Sequence, residues 1–202
     1  MDKKRLLSID FDYFIDTDLN TRNNKFPDGI DEIPTNKLIK LWNYFYEQFP
    51  EIKDIGVIEP QFSYIKDYLK NHKFKKIVIA DSHKKIEGLF EELDSADVLD
   101  VVHIDFHHDN YISGGNKVDC ANWLRCLNDR RKDKTTNNLW IRREDSEIVS
   151  LMGEFPYANT TLLDLDGDFD YLFICFSPEW SLPHLRKYYD VLRNIIEPPI
   201  KH

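Results

Sequence analysis

Three short apolar runs in this chain each end in carboxylates or histidine, and this pattern constrains the fold more than any other sequence feature. The runs are residues 6–9, before Asp10 and Asp12; residues 77–80, before Asp81 and His83; and residues 98–104, before Asp105, His107 and Asp109. Short apolar runs rich in β-branched residues are typical of buried strands. Ligands bind beyond the carboxyl ends of strands in open α/β sheets, so we expect the three polar groups to meet at one edge.

Strand-like and helix-like patterns alternate along the chain, which predicts a three-layer α/β/α fold with a mainly parallel sheet. At 202 residues, the chain is expected to form one domain over residues 1–202. Helical spacing of apolar residues predicts helices at 35–49, 62–71, 86–93, 120–129, 144–152 and 182–195. Further strands are predicted at 55–58, 138–141 and 171–176. Loops are predicted at 16–35, 113–116 and 130–138.

The charge balance narrows the range of partners. The chain has 27 Lys and Arg against 36 Asp and Glu, a net charge of -9. This balance argues against a nucleic-acid groove, which is usually basic. It is compatible with a basic substrate such as a guanidinium group, although solubility alone would also explain it.

The cysteines and the lengths of the apolar segments indicate the cellular compartment in which the protein is expected. The three cysteines, Cys120, Cys126 and Cys175, have no CxxC spacing, so we expect reduced thiols of a cytoplasmic protein without a particular role. The N-terminal segment is not expected to be a signal peptide. Apolar runs fall short of the ~20 residues of a membrane span, so we expect no membrane partner.

The cluster at residues 105–109 predicts a metal site. Side chains at i, i+2 and i+4 share one side of an extended chain, so Asp105, His107 and Asp109 converge if the strand conformation persists. Buried carboxylates are costly without a positive partner, which a divalent metal supplies. Oxygen and nitrogen donors without thiolate favour Mn²⁺, Fe²⁺ or Zn²⁺. The chain offers six candidate ligands: Asp10, Asp12, His83, Asp105, His107 and Asp109. One ion needs fewer ligands than this, so the set predicts a site with two ions, which is typical of a hydrolysis reaction.

Each of these residues also has a structural interpretation. The acidic residues could bond to neighbouring loops or cap turns, and His83 could cap the helix that follows it. His108 alternates to the opposite side of the strand, where a structural role is more common. His103 lies within the strand and is expected to be a core histidine with its hydrogen bonds satisfied.

The order of these motifs resembles the ureohydrolase pattern of arginases and agmatinases. In that pattern a histidine like His83 follows one strand, a DxHxD cluster like residues 105–109 follows the next, and a DxD like residues 10–12 completes the site. The resemblance implies an arginase/deacetylase-like fold with two Mn²⁺ ions. Asp10 and Asp105 would then bridge the two ions.

The remaining ligands divide between the ions under the same resemblance. His83 and Asp109 would complete one ion, and His107 and Asp12 the other. Asp109 would also accept a proton from the attacking water.

A closer resemblance concerns the segments IDFDYF, HIDFHHDN and CFSPEWSLPHL. Together they are similar to a small arginase-like family that includes peptide arginases, which convert arginine side chains of ribosomally made precursor peptides into ornithine and urea. The resemblance implies an arginine-containing precursor peptide as substrate. The alternatives are free arginine or agmatine, an amidohydrolase or deacetylase reaction on the same fold, or a non-catalytic module that binds basic peptides.

Three residues are candidates for the substrate site. Glu179 resembles the arginase glutamate that pairs with the guanidinium, and a carboxylate matches that group bidentately. Trp180 could offer a ring face to the cation. Asn122, in the region after the DxHxD cluster, is the third candidate.

The chain departs from ordinary arginases in three respects. At 202 residues it is much shorter, so we expect the loops that close over free arginine to be missing, which suits a peptide-borne substrate. The DxD precedes the other motifs, so the strand carrying Asp10 must be threaded differently. The usual proton-shuttle histidine after the DxHxD cluster has no counterpart, so we expect His108 or His184 to serve.

Overall fold

A computed structural model describes residues 2–27, 33–111, 117–146 and 167–197, together with 157–158, 162 and 165. Its six strands are β1 (Lys3–Asp10), β2 (Lys76–Ala80), β3 (Val98–Ile104), β4 (Thr135–Ile141), β5 (Tyr157–Ala158) and β6 (Tyr171–Cys175). The strand order is β2-β6-β1-β3-β4-β5, and every described pairing is parallel. The predicted parallel sheet is confirmed, with β1 between β6 and β3.

Helices cover both faces of the sheet. They are α1 (Leu19–Lys25), α2 (Thr35–Gln48), α3 (Glu59–Asn71), α4 (Phe90–Asp94), α5 (Trp123–Arg130) and α6 (Arg186–Ile196). Apolar side chains of α2, α3 and α6 pack on one face and those of α4 and α5 on the other, in two separate core clusters. The predicted three-layer α/β/α fold is therefore confirmed. No helix in the described part of the chain is long and apolar enough to cross a membrane.

The alternation of side chains along β1 decides which of them face the site. Leu7 and Ile9 join the core beneath α2, α3 and α6, whereas Leu6 joins the core beneath α4 and α5. Because the side-chain period of a strand is two, Ser8 and Asp10 face the same side as Leu6. The polar residues at the end of β1 are thus directed to the layer that contains α5.

Several predicted elements differ in the structure. The predicted loop at 16–35 contains α1, because the Asp18 side chain accepts the Thr21 N–H (2.7 Å) and caps that helix. The predicted strand at 55–58 is only one antiparallel bridge, between Ile15 and Val57.

Other differences lie later in the chain. The predicted connection at 130–138 already contains the start of β4 at Thr135. The first residues of this strand are exposed or half-buried, which explains why they are polar and why the sequence pattern did not indicate a strand. The predicted helix at 86–93 begins as the 3-10 turn His83–Leu89, and only α4 is α-helical. The predicted turn at 113–116 and residues 147–152 of a predicted helix lie outside the described residues.

Candidate metal centre

The first two carboxylates of the site lie at the C-terminal ends of the two central strands, β1 and β3. Asp10 is the last residue of β1, and Asp105 directly follows β3. These strands pair in parallel with Ile9 opposite Ile104, so the next residues, Asp10 and Asp105, emerge side by side. Both are almost fully buried, at 4% and 1% exposure. Two adjacent buried carboxylates need a positive partner.

His83 reaches this pair from β2, although β6 lies between β2 and β1. Its ring stacks on Phe173 of β6 (5.1 Å between centroids, 9° between planes) and on Trp123 of α5 (5.1 Å, 26°). Its Nε2 lies 2.8 Å from the Ser8 hydroxyl oxygen. These three contacts fix the imidazole across β6 and leave Nδ1 for the carboxylates.

A first group of ligand atoms surrounds His83 Nδ1. The atom lies 3.0 Å from Asp109 Oδ2, 3.3 Å from Asp10 Oδ2 and 3.3 Å from Asp105 Oδ2. Despite these distances, Nδ1 and Asp105 Oδ2 are buried without a hydrogen-bond partner among the described residues. Buried polar atoms are rarely left unpaired. Donor atoms that converge without bonding to one another fit the surroundings of a cation.

A second group contains His107. Its Nδ1 lies 3.1 Å from Asp12 Oδ2 and 3.7 Å from Asp105 Oδ1. Asp12 Oδ2 is another buried atom without a hydrogen-bond partner in the described part of the chain. The two oxygens of Asp105 therefore belong to different groups, and this carboxylate links them.

The route of the chain to Asp109 differs from the prediction. Strand β3 ends at Ile104, so the extended conformation expected for residues 105–109 is wrong. The chain turns instead, with the His107 N–H donating to Asp105 Oδ1 (2.7 Å) and Asp109 at a φ of 50°. Left-handed backbone is uncommon outside glycine and is often retained at functional sites. The predicted residues still meet, but through a turn.

Two residues near the site were not among the predicted candidate ligands. His103 is a buried core histidine, as expected, and its Nε2 bonds to the His107 carbonyl (3.2 Å) and lies 3.2 Å from Asp105 Oδ2. Its Nδ1 has no hydrogen-bond partner among described residues, so its hydrogen bonds are only partly satisfied. Cys175 pairs with Asp10 in the register of β6 and β1, and its thiol forms a potential ligand group with Asp10 and His83. The period of two would have indicated His103, which lies two residues before Asp105 on the same side of β3.

Outer contacts hold most of the candidate ligands in place. The pairs are Ser8 with His83, the Ser177 hydroxyl donating to Asp10, the Trp123 indole N–H donating to Asp109 (2.7 Å), and Arg22 beside Asp12 (3.6 Å). Such second partners orient ligands and are typical of metal sites. Arg22 is itself buried, with its guanidinium 3.9 Å from the ring centroid of Phe106.

Burial and neighbouring charges shift the pKa values of the residues in the second group. Burial, with the charges of Asp12 and Asp10, raises the pKa of Asp105 to about 7. Burial alone would lower the pKa of His107, but Asp12 and Asp105 raise it to about 9. Burial alone would raise the pKa of Asp12, but His107 and Arg22 lower it to about 2. A bound divalent cation would displace the protons on these groups.

Glu179 and Trp180 lie at the same edge of the sheet. They occupy the turn after β6, where Glu179 is 4% exposed and Trp180 is half-buried. The Trp180 ring lies 4.6 Å from the His107 ring between centroids. Trp180 therefore adjoins the second ligand group, and Glu179 precedes it in the same turn.

Three other predicted residues contact different parts of the molecule. Asn122 holds the segment before α5, accepting the Asp119 N–H (2.8 Å) and donating to the Lys117 carbonyl (3.0 Å). His108 packs on Tyr111 and accepts the Asn110 N–H (3.0 Å), and burial lowers its pKa to about 4. His184 lies between the Tyr46 hydroxyl (2.6 Å) and the Ile55 carbonyl (2.8 Å). Substrate and proton-transfer roles for these residues stay predictions.

Comparison with known proteins assigns no family, since no family model, curated protein or solved structure matches the chain. The fold and the site define an α/β protein whose buried aspartates and histidines could hold a metal ion.

Proposed function

We propose that this protein is a metal-dependent hydrolase of the arginase type that converts arginine side chains of a peptide into ornithine and urea. The observation that carries the proposal is the shared carboxylate of Asp105. One of its oxygens lies beside His83 and the other beside His107. A carboxylate between two sets of unpaired donor atoms supports a centre of two ions.

The two groups suggest how the ligands divide. His83, Asp10 and Asp109 would hold one ion, and His107 and Asp12 the other, with Asp105 between them. Oxygen and nitrogen ligands suit Mn²⁺, while the nearby thiol of Cys175 would suit Zn²⁺ or Fe²⁺. A second bridge through Asp10 stays a prediction. Bound divalent ions supply Lewis-acid activation of water at neutral pH, which hydrolysis of a guanidinium requires.

The side chains around this centre have separate tasks in the proposed reaction. Glu179 pairs with the guanidinium bidentately and orients its carbon toward the ligand groups. Trp180 covers one side of the cation. Asp109, held by the Trp123 N–H, accepts a proton from the attacking water. The oxygen adds to the guanidinium carbon, the bond to the side-chain nitrogen breaks, and the proton passes to the ornithine amine as urea leaves.

The charge of the chain favours arginine within a basic peptide. A net charge of -9 attracts a cationic peptide by long-range electrostatics, before any direct contact forms. Free arginine carries a single net positive charge and gains less from the same field than a peptide with several basic residues. Selectivity for a peptide is thus the outcome that we expect.

A second candidate function is hydrolysis of an acylated amine with one ion. The observation that favours it is a compact group of His83, His103 and Asp105, whose ligand atoms lie within 4.8 Å of one another. Two imidazoles and a carboxylate are the set of several single-zinc hydrolases. Under this alternative, Asp12 and His107 would form an ion pair outside the metal site.

The test is urea release from purified protein loaded with Mn²⁺. Free arginine, agmatine, an arginine-containing peptide and an acetyl-lysine peptide are offered separately. Asp105→Asn should abolish the activity, whereas Asp100→Asn should retain it, because Asp100 pairs with Lys3 at the other end of the sheet. Urea from the peptide alone supports the proposal. Deacetylation without urea supports the second candidate, and no urea from a protein that holds two ions contradicts the guanidinium reaction.

A further inference from the structure

The last residue of β6 brings a thiol to the first ligand group. Cys175 is fully buried, and it pairs in register with Asp10 of β1 on one side and with Ala80 of β2 on the other. It therefore lies between the strand that ends in Asp10 and the strand that leads to His83. The six predicted ligands offer only oxygen and nitrogen, so a sulfur ligand at this position would change the chemistry of the site.

The alternation of side chains along β6 directs this thiol to the side of the sheet that holds the ligand groups. Phe173 and Cys175 belong to the core beneath α4 and α5, whereas Ile174 belongs to the opposite core. This is the period of two that a strand requires. The His83 ring stacks on Phe173, so the imidazole and the Cys175 thiol lie on the same face of β6.

The separations of the ligand atoms are short enough for one ion. The ligand atoms of Cys175, Asp10 and His83 lie within 4.8 Å of one another. Ligand atoms lie about 2.0–2.3 Å from a Zn²⁺ ion, so two of them in one tetrahedral site are about 3.3–3.8 Å apart. The observed separations exceed this range by about 1 Å at most. Small side-chain rotations would bring the three atoms to a common ion.

Ser177 connects the thiol to the same group. Its hydroxyl oxygen lies 3.5 Å from Cys175 Sγ, and the hydroxyl donates to Asp10. Its backbone has a φ of 47°, a left-handed conformation that residues other than glycine rarely adopt. Strained backbone of this kind is often retained at functional sites. The turn after β6 thus holds the thiol and the Asp10 carboxylate through one side chain.

Unpaired atoms of other residues distinguish this thiol from an ordinary core cysteine. A buried cysteine by itself is a small apolar side chain. Here, however, His83 Nδ1 and Asp105 Oδ2 are buried without a hydrogen-bond partner among the described residues. Buried polar atoms are rarely left unpaired. The sulfur therefore joins nitrogen and oxygen atoms that already fit the surroundings of a cation.

We propose that Cys175 is a thiolate ligand of the first ion and gives its site a preference for Zn²⁺ or Fe²⁺ over Mn²⁺. The inference rests on the metal centre of the proposed function and adds a metal preference to it. Thiolate is a soft ligand that suits these ions, and the thiol proton is released when the ion binds. The second group, with His107 and Asp12, has no sulfur and suits Mn²⁺.

Absorption spectra of the Co²⁺-loaded protein test the sulfur ligand directly. A thiolate bound to Co²⁺ gives a charge-transfer band in the near ultraviolet, which oxygen and nitrogen ligands do not give. The chain has three cysteines, so the double variant Cys120→Ser/Cys126→Ser leaves Cys175 as its only thiol. The wild type and this variant should show the same band for each bound Co²⁺ ion. A variant that holds Co²⁺ without the band would overturn the inference, and this test requires no substitution in the core.

A matched pair of single variants measures the metal preference. Cys175→Ser removes the proposed ligand, and Cys126→Ser makes the same change in α5, in the same layer, at a half-buried thiol outside the potential ligand groups of the described residues. Most nitrogen and oxygen sites also bind Zn²⁺ more tightly than Mn²⁺, so the informative quantity is the change in the ratio of the two affinities.

Calorimetry of Zn²⁺ and Mn²⁺ binding gives this ratio for each variant. Cys175→Ser should lose the cobalt band and lower the ratio of Zn²⁺ to Mn²⁺ affinity about tenfold or more, since even the outer partners of a metal contribute that much. Cys126→Ser should match the wild type. An unchanged ratio in Cys175→Ser would overturn the inference.

The spectra and the urea assay separate the two proposals. A band that depends on Cys175, in a protein that releases no urea, supports the thiolate ligand and contradicts only the proposed function. Urea release by a protein whose Co²⁺ form lacks the band overturns the inference and leaves the proposed function intact. A protein that retains no Co²⁺ overturns both.

Discussion

Replacement of Arg22 by methionine should destabilise the metal-free protein strongly. Arg22 and Asp12 have fully buried side chains, with Nη1 3.6 Å from Asp12 Oδ2. Removal of one partner from a buried ion pair costs about 3–5 kcal/mol. The lower end of that range is expected here, because His107 still faces the Asp12 carboxylate at 3.1 Å. The carbonyls of Asp12 and Ile15, which accept from Arg22, keep backbone donors in Ile15 and Thr17. The loss therefore arises mainly at the carboxylate.

Thermal unfolding in EDTA measures this effect without a cation that could substitute for Arg22. In a protein of this size, about 3–5 kcal/mol lowers Tm by roughly 6–20 °C. Arg125→Met is the control, because Arg125 also lies 3.6 Å from its partner, Asp129, but the two side chains are 38% and 70% exposed. An exposed pair contributes about 0.5 kcal/mol or less, or a Tm change of about 2 °C at most. Equal small losses in both variants would refute the claim that burial makes the Arg22 pair strong.

Three further predictions concern the candidate centre. Glu179→Gln should raise the KM for an arginine peptide at least tenfold with unchanged metal content, and an unchanged KM would exclude the guanidinium contact. Trp123→Phe should weaken Mn²⁺ binding about 10- to 100-fold in calorimetry, because Asp109 loses its N–H donor; wild-type affinity would contradict this role. The pKa of His107 is raised from 6.5 to about 9 in the folded protein, so it stabilises the metal-free protein fully below pH 6.5 and loses this effect as pH rises through 9. Melting temperatures in EDTA should fall over that window, and a flat profile would contradict the prediction.

Local sequence predicted the sheet and the candidate ligands that meet at its edge, because both depend on short-range patterns. The boundaries of β3 follow an apolar run that is both long and β-branched, and the structure has the same residues, Val98–Ile104. The carboxylates at strand ends could be located from the same runs. A parallel sheet then brings Asp10 and Asp105 to one edge without further information.

Other features depend on contacts between distant segments. The predicted loop at 16–35 is polar, yet it contains α1 and buries Arg22 against Asp12 and Phe106. Nothing local marks this arginine, because its partners come from the turn after β1 and from the turn after β3. Cys175 likewise became a potential ligand only through its register with Asp10, which sequence spacing does not contain.

The most direct test of the metal centre is the number of ions per chain after Mn²⁺ loading and removal of free metal, measured by mass spectrometry of the elements. We expect two ions per chain in the wild type and none in Asp105→Asn, since that carboxylate serves both groups. One ion per chain would favour the single-ion hydrolase and contradict the shared role of Asp105. A wild-type protein that retains none would contradict the metal centre itself.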